Sequence, residues 1–212
     1  MIDIKNIDCI ELMRQYKDNH FDLAIVDPPY GIKRAGQQET FTKNPKHKRK
    51  EHKIKNWDDS IPTKEYFDEL FRVSKNQIIW GANYFVEHIN NASMGWIFWY
   101  KGQQGLSMSD GELAYSSFDR ATRMITINRC MISQKGGSIH PTQKPVELYR
   151  HLLTEYASKG DNILDTHLGP GSIAIACHDL GFNLTASEID KDYYEEAKNR
   201  IYNHTKQIMI NF

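Results

Sequence analysis

Residues 21–32 read FDLAIVDPPYGI, an apolar run ending in Asp27 and followed at once by Pro28, Pro29 and Tyr30. A half-buried strand alternates apolar and polar residues. A run without that alternation belongs to a strand buried on both faces, as in a parallel sheet covered by helices. The two prolines then stop the strand, because their φ is fixed and they carry no backbone N–H. The expected result is a central strand whose carboxyl end presents an acid, two rigid carbonyls and an aromatic ring.

Working outward, a short strand at Ile4–Ile7 leads through Asp8 into a helical pattern of Ile10, Leu12, Met13 and Tyr16. Pro62 opens an amphipathic helix carrying Tyr66, Phe67, Leu70, Phe71 and Val73. QIIWGANYF (77–85) and GWIFWYK (95–101) read as buried strands, ELAYSSF (112–118) and RMITIN (123–128) as more exposed ones. A helix follows over KPVELYRHLLTEYAS (144–158), with Pro145 near its first turn. Strand NILDTHL (162–168), helix SIAIACHDLG (172–181), strand NLTASEID (183–190) and helix DYYEEAKNRIYNH (192–204) complete the chain. Alternating strands and helices predict an α/β fold: an open, mostly parallel central sheet with helices on both faces. Residues 1–212 carry no repeat or low-complexity tract and are read as one domain.

The composition sets the bounds. With 212 residues, 40% hydrophobic and 25% charged, the chain matches an ordinary soluble globular domain. Neither a signal segment nor an apolar run of about 20 residues is present, which speaks against secretion and a membrane span. Cys9, Cys130 and Cys177 are scattered, without a CxxC pair. They read as reduced thiols in a cytosolic protein and speak against a metal site. The formal net charge is zero, yet between Lys33 and Lys55 nine Lys or Arg stand against two Glu. One basic segment on an otherwise acidic body points to a polyanion touched at one place. Lys33, Arg34, Lys46, Lys48, Arg49 and Lys50 are its candidate contacts, in an expected mobile loop over 33–55.

A second site signal lies in LDTHLGPGS (164–172), where Gly169 and Gly171 separate a buried strand from a helix. Glycines there let a ligand approach the backbone at the carboxyl end of the sheet. The next strand ends in SEID (187–190), and Glu188 is placed to accept hydrogen bonds from both hydroxyls of a ribose. A nucleoside-type cofactor is the expected ligand. The third glycine of a dinucleotide fingerprint is absent, and so is any GKS or GKT sequence, which disfavours a P-loop nucleotide hydrolase.

Asp27, the Pro28 and Pro29 carbonyls and Tyr30 together suit a planar base bearing an exocyclic NH2. The lone pair of such an amine is delocalised into the ring, so it is a poor nucleophile. Two acceptors, the Asp27 carboxylate and the Pro28 carbonyl, can hold both amine hydrogens and localise that lone pair. The carboxylate also stabilises the positive charge that develops on nitrogen during attack.

DPPY at 27–30, HPTQKP at 140–145, the Gly-containing turn at 165–172 and SEID at 187–190 resemble the β-class S-adenosylmethionine-dependent DNA amino-methyltransferases. The resemblance covers nearly the whole chain. It implies a Rossmann-like methyltransferase fold, the catalytic half before the cofactor half, and S-adenosyl-L-methionine as cofactor. It further implies DNA as partner, allows a homodimer, and includes neither membrane nor metal. A bacterial or phage-infected cytoplasm is the implied setting.

The implied reaction is methylation of adenine N6 in a base flipped out of DNA, with cytosine N4 as the alternative. RNA, a protein glutamine amide and a catalytically degenerate accessory subunit are further readings. Carried over by position, Asp27, Pro28, Pro29 and Tyr30 form the catalytic motif, Tyr30 stacking on the target base. Asp165, His167, Gly169 and Gly171 belong to the cofactor loop, with His167 a packing wall rather than a base. Glu188 binds the ribose, Thr142 and Lys144 lie near the cofactor's amino-acid end, and Asp8 faces its adenine. Thr166 and His167 depart from the usual Pro-Phe pair of this loop.

Overall fold

The computed structural model describes residues 1–33, 58–89, 92–105, 109–128 and 143–209. Eight strands form one sheet: β1 (Ile2–Lys5), β2 (Phe21–Val26), β3 (Ser74–Trp80), β4 (Ile97–Tyr100), β5 (Gly111–Ser116), β6 (Arg123–Thr126), β7 (Asn162–Asp165) and β8 (Asn183–Ser187). Their spatial order is β1-β8-β7-β2-β3-β5-β4-β6. The five strands from β1 to β3 are parallel, β5 runs antiparallel to β3 and β4, and β6 returns parallel to β4. The expected mostly parallel sheet is present, with an antiparallel turn-back on one side.

Five α-helices flank the sheet among the described residues: α1 (Cys9–Met13), α2 (Lys64–Val73), α3 (Val146–Tyr156), α4 (Ser172–Leu180) and α5 (Lys191–Met209). Strand β2 shows why its sequence lacks alternation. Leu23 and Ile25 join the core beneath α3, α4 and α5, while Ala24 and Val26 join the core beneath α1 and α2. All four are fully buried. Burying a Val, Leu or Ile side chain contributes about 1.5–3 kcal/mol, so a polar residue facing either way here is strongly disfavoured.

The reading of ELAYSSF as an exposed strand is corrected. Strand β5 lies between β3 and β4, with Ala114, Tyr115 and Ser116 buried. Its antiparallel insertion places it inside the sheet, a long-range pairing that local polarity does not encode. RMITIN does form the outer strand, β6, in which Ile125 alone is buried. The amphipathic helix expected after Pro62 is α2, starting at Lys64 behind Thr63 and burying Tyr66, Phe67, Leu70 and Val73.

Candidate active site

Four neighbouring parallel strands, β1, β8, β7 and β2, end side by side. The residues following them meet at one rim, the place where open α/β sheets bind ligands. Asp8 and Cys9 follow β1, Glu188 and Ile189 follow β8, Thr166 to Gly169 follow β7, and Asp27 follows β2. All of them line a single cleft, together with Pro29, Lys144 and Tyr149.

On the β1–β8–β7 side, each expected residue has a defined job. Asp8 caps α1, its Oδ1 accepting from the amides of Ile10 (2.8 Å) and Glu11 (3.1 Å). The Glu188 carboxylate accepts from the Gly169 amide (2.9 Å) and, through its other oxygen, from the Asp190 amide (2.9 Å). It therefore ties the end of β8 to the turn after β7. The two glycines of that turn part company. A side chain on Gly169, at φ +51°, would meet nothing closer than 3.9 Å, so its backbone borders open cleft. Gly171, at φ +74°, does not line the cleft; a Cβ there would press on Ile201 at 3.1 Å, where α4 starts against α5. Gly171 therefore serves packing between α4 and α5 as well as the turn.

Asp165 likewise sits behind the cleft rather than in it. It is buried and accepts from the His167 amide at 3.0 Å. Burial pushes its carboxyl up to about 8, against the pull of that amide, with Asp27 and Glu188 adding to the rise. His167 does line the cleft. Its Nδ1 lies 2.9 Å from the Thr166 hydroxyl, which in turn lies 2.7 Å from the Tyr66 hydroxyl. Burial pulls the imidazole down to about 4, so it is neutral near pH 7 and packs edge-on against Tyr66.

On the β2 side, the Asp27 carboxylate is held at both oxygens. The Tyr30 hydroxyl donates to Oδ1 at 2.6 Å, and the Lys144 ammonium donates to Oδ2. Lys144 also lies 3.0 Å from Glu112 Oε2, and Lys101 lies 2.6 Å from Glu112 Oε1. Lys144, expected near the cofactor's amino-acid end, lines the cleft, and its ammonium engages Asp27 and Glu112. Burial pushes Asp27 above the usual carboxylate range; Lys144 pulls against this and Glu112 adds to it. For Glu112 the two ammonium groups outweigh burial and hold its carboxyl at about 2.

The turn after β2 is braced from elsewhere in the chain. The amides of Tyr30 and Gly31 both donate to Asp58 Oδ1 at 2.9 Å. The Tyr30 ring stacks on Tyr84, centroids 5.2 Å apart and planes within 15°. A Cβ on Gly81 would stand 2.1 Å from Tyr30 Cε1 and 2.5–2.6 Å from both its ring neighbours, so the glycine leaves room for the Tyr30 ring. Pro29 lines the cleft, whereas Pro28 is buried outside it. Of the six candidate basic contacts, Lys33 is exposed, and Arg34, Lys46, Lys48, Arg49 and Lys50 lie outside the described residues, as does Thr142.

Glu112, Lys101, Asp58 and Gly81 were not singled out from the sequence. Glu112 carries a faint signal, an acid inside a strand. Gly81 and Lys101 fall within stretches read as buried strands and Asp58 within a polar stretch, and only tertiary structure reveals their contacts.

Among the described residues no three His, Cys, Asp or Glu side chains are grouped to hold a metal ion, and no helix is long and apolar enough to cross a membrane.

The Type II methyltransferase M.HpaI of Haemophilus parainfluenzae is 25% identical over 240 residues, spanning 91% of this chain and 71% of its own. The crystal structure of the M1.HpyAVI–SAM complex superposes with a TM-score of 0.63 at 19% identity, over 95% of this chain and 99% of the other. The cytosine-N4-specific PvuII DNA methyltransferase superposes with a TM-score of 0.59 at 10% identity, over 100% of this chain and 93% of its own. These structural likenesses show a shared methyltransferase fold. The N6/N4-type DNA methylase family model matches residues 40–199, well over half of the sequence, and the chain belongs to that DNA methylase family.

Proposed function

We propose that the protein transfers the methyl group of S-adenosyl-L-methionine to the exocyclic N6 of adenine flipped out of DNA. One observation carries the reading: the Asp27 carboxylate opens into the same cleft as Gly169, Glu188 and Ile189. An acceptor for an amine and a pocket suited to a nucleoside thus share one space.

The residues present fit the cofactor. Gly169 leaves the turn open to a ligand, and Glu188 is already oriented by two amides toward the rim. Ile189 is 65% exposed while lining the cleft beside Ile7, an apolar wall suited to a flat purine. In this reading Glu188 accepts from the ribose hydroxyls, Gly169 borders the amino-acid part and Asp8 faces the adenine. The bound cofactor supplies an electrophilic methyl on a sulfonium.

Asp27 acts on the other reactant. It accepts a hydrogen from the target amine, localises the nitrogen lone pair and offsets the positive charge that grows during attack. Lys144 and Tyr30 fix both carboxylate oxygens, so the acceptor is in place before the base arrives. Each oxygen has two lone pairs, which leaves directions for the amine. Tyr30, stacked on Tyr84 and in close contact with Gly81, acts through its hydroxyl on Asp27. Asp in the first motif position favours adenine N6; the likeness to a cytosine-N4-specific enzyme supports the same chemistry on cytosine as second reading.

The test is a nucleoside digest of DNA after incubation with protein and S-adenosyl-L-methionine, analysed by mass spectrometry. N6-methyladenine is expected. N4-methylcytosine in its place would select the second reading, and no methylated nucleoside would overturn both.

A further inference from the structure

Lys144 is almost wholly buried, its side chain 2% exposed, between two carboxylates. An ammonium has three N–H donors. Asp27 Oδ2, Glu112 Oε2 at 3.0 Å and the Tyr30 hydroxyl at 3.3 Å account for all three. Lys144 therefore has no hydrogen to offer a substrate. Glu112 bridges in the same manner, one oxygen to Lys144 and the other to Lys101 at 2.6 Å. The charges alternate along a row from Asp27 to Lys101, and Lys101 is itself buried, lying over the Trp99 ring at 5.3 Å. The end of β4 and strand β5 thus reach the end of β2 through three ion pairs, Lys101–Glu112, Glu112–Lys144 and Lys144–Asp27.

We propose that Glu112 and Lys101 are positioning residues for methyl transfer, sharing the Lys144 ammonium between two carboxylates so that Asp27 is held in place yet remains a strong acceptor. The proposal rests on the methyl-transfer reading above. A lone Lys144–Asp27 pair would spend the carboxylate's charge on the ammonium and weaken it toward the target amine. Glu112 draws part of that charge away, and Lys101 limits how far. The titratable groups facing Asp27 are Lys144, Tyr30, Glu112 from β5, Tyr149 from α3, Tyr66 from α2 and Asp165 at the end of β7. The tyrosines are all raised by burial and stay neutral, and Asp165 is common to every variant below.

The test compares the pH dependence of single-turnover methyl transfer by wild type, Glu112→Gln and Lys101→Met, with cofactor affinity and thermal unfolding followed for each. Transfer needs ionised Asp27, so the rate falls on the acid side as Asp27 protonates. Glu112→Gln removes a negative neighbour, and its acid limb should move to lower pH, with the plateau rate down about ten- to a hundredfold. Lys101→Met frees Glu112 to draw Lys144 away from Asp27, and its limb should move to higher pH. Cofactor affinity should stay within about twofold of wild type, since neither residue lines the cofactor side. An active wild type whose two variants keep its acid limb, or shift it the same way, overturns the inference alone. A wild type that transfers no methyl at any pH overturns the reading beneath it as well.

Discussion

Asp165 and His167, two residues apart in one turn, are shifted by the same burial in opposite directions. Asp165 is raised from 3.8 to about 8, so its contribution to stability is full below pH 3.8 and is lost as pH rises through 8. His167 is lowered from 6.5 to about 4, so its contribution is full above pH 6.5 and is lost as pH falls through 4. Between about pH 7.5 and 8.5 His167 is neutral in folded and unfolded chains alike, and its titration adds nothing to the slope that Asp165 sets there. Urea midpoints should fall over that interval in the wild type, and Asp165→Asn should flatten the fall. Glu188 poses a different single-residue question. If it holds a ribose, Glu188→Ala loses charge-assisted hydrogen bonds, and calorimetry should show cofactor binding weakened by about 1.5–3 kcal/mol. Unchanged affinity would remove the ribose assignment.

Elements decide how tightly the Asp27 turn is held. The turn after β3 lays Gly81 on the Tyr30 ring with φ +68°, a conformation that a side chain resists. Gly81→Ala adds both backbone strain and a methyl 2.1 Å from Tyr30 Cε1. A loss of about 2–4 kcal/mol in urea unfolding is expected, with methyl transfer impaired as Tyr30 shifts. What the sequence disclosed follows the same division. Asp27, Tyr30, Gly169 and Glu188 were legible because each marks a strand end within its own local pattern. Glu112 and Asp58 were not, for they meet the turn across 82 and 28 residues of chain. The place of β5 inside the sheet was hidden for the same reason, since pairing with β3 and β4 is a property of topology. Gly171 shows a packing demand that its loop pattern did not reveal, the close approach of α5 at Ile201.

At the scale of the molecule, the sheet order brings the ends of the first, second, seventh and eighth strands together although they are far apart in sequence. The residues after all four strands thereby line one cleft. The basic segment between Lys33 and Lys55 follows the Asp27 turn in sequence, and we propose that it contacts the DNA backbone. Replacing Lys46, Lys48, Arg49 and Lys50 with Ala should weaken DNA binding and flatten its salt dependence, by about 0.9 in log–log slope for each phosphate left unneutralised. An unaltered slope would reduce the segment to a solvated loop. The central claim is that Asp27 activates the target amine within a cleft that binds the cofactor independently of it. Single-turnover methyl transfer by Asp27→Asn, with cofactor binding measured on the same preparation, tests this most directly. Asparagine keeps the shape and loses the charge, so transfer should fall about 100- to 1000-fold while cofactor affinity stays near wild type. Transfer at the wild-type rate by that variant would contradict the account.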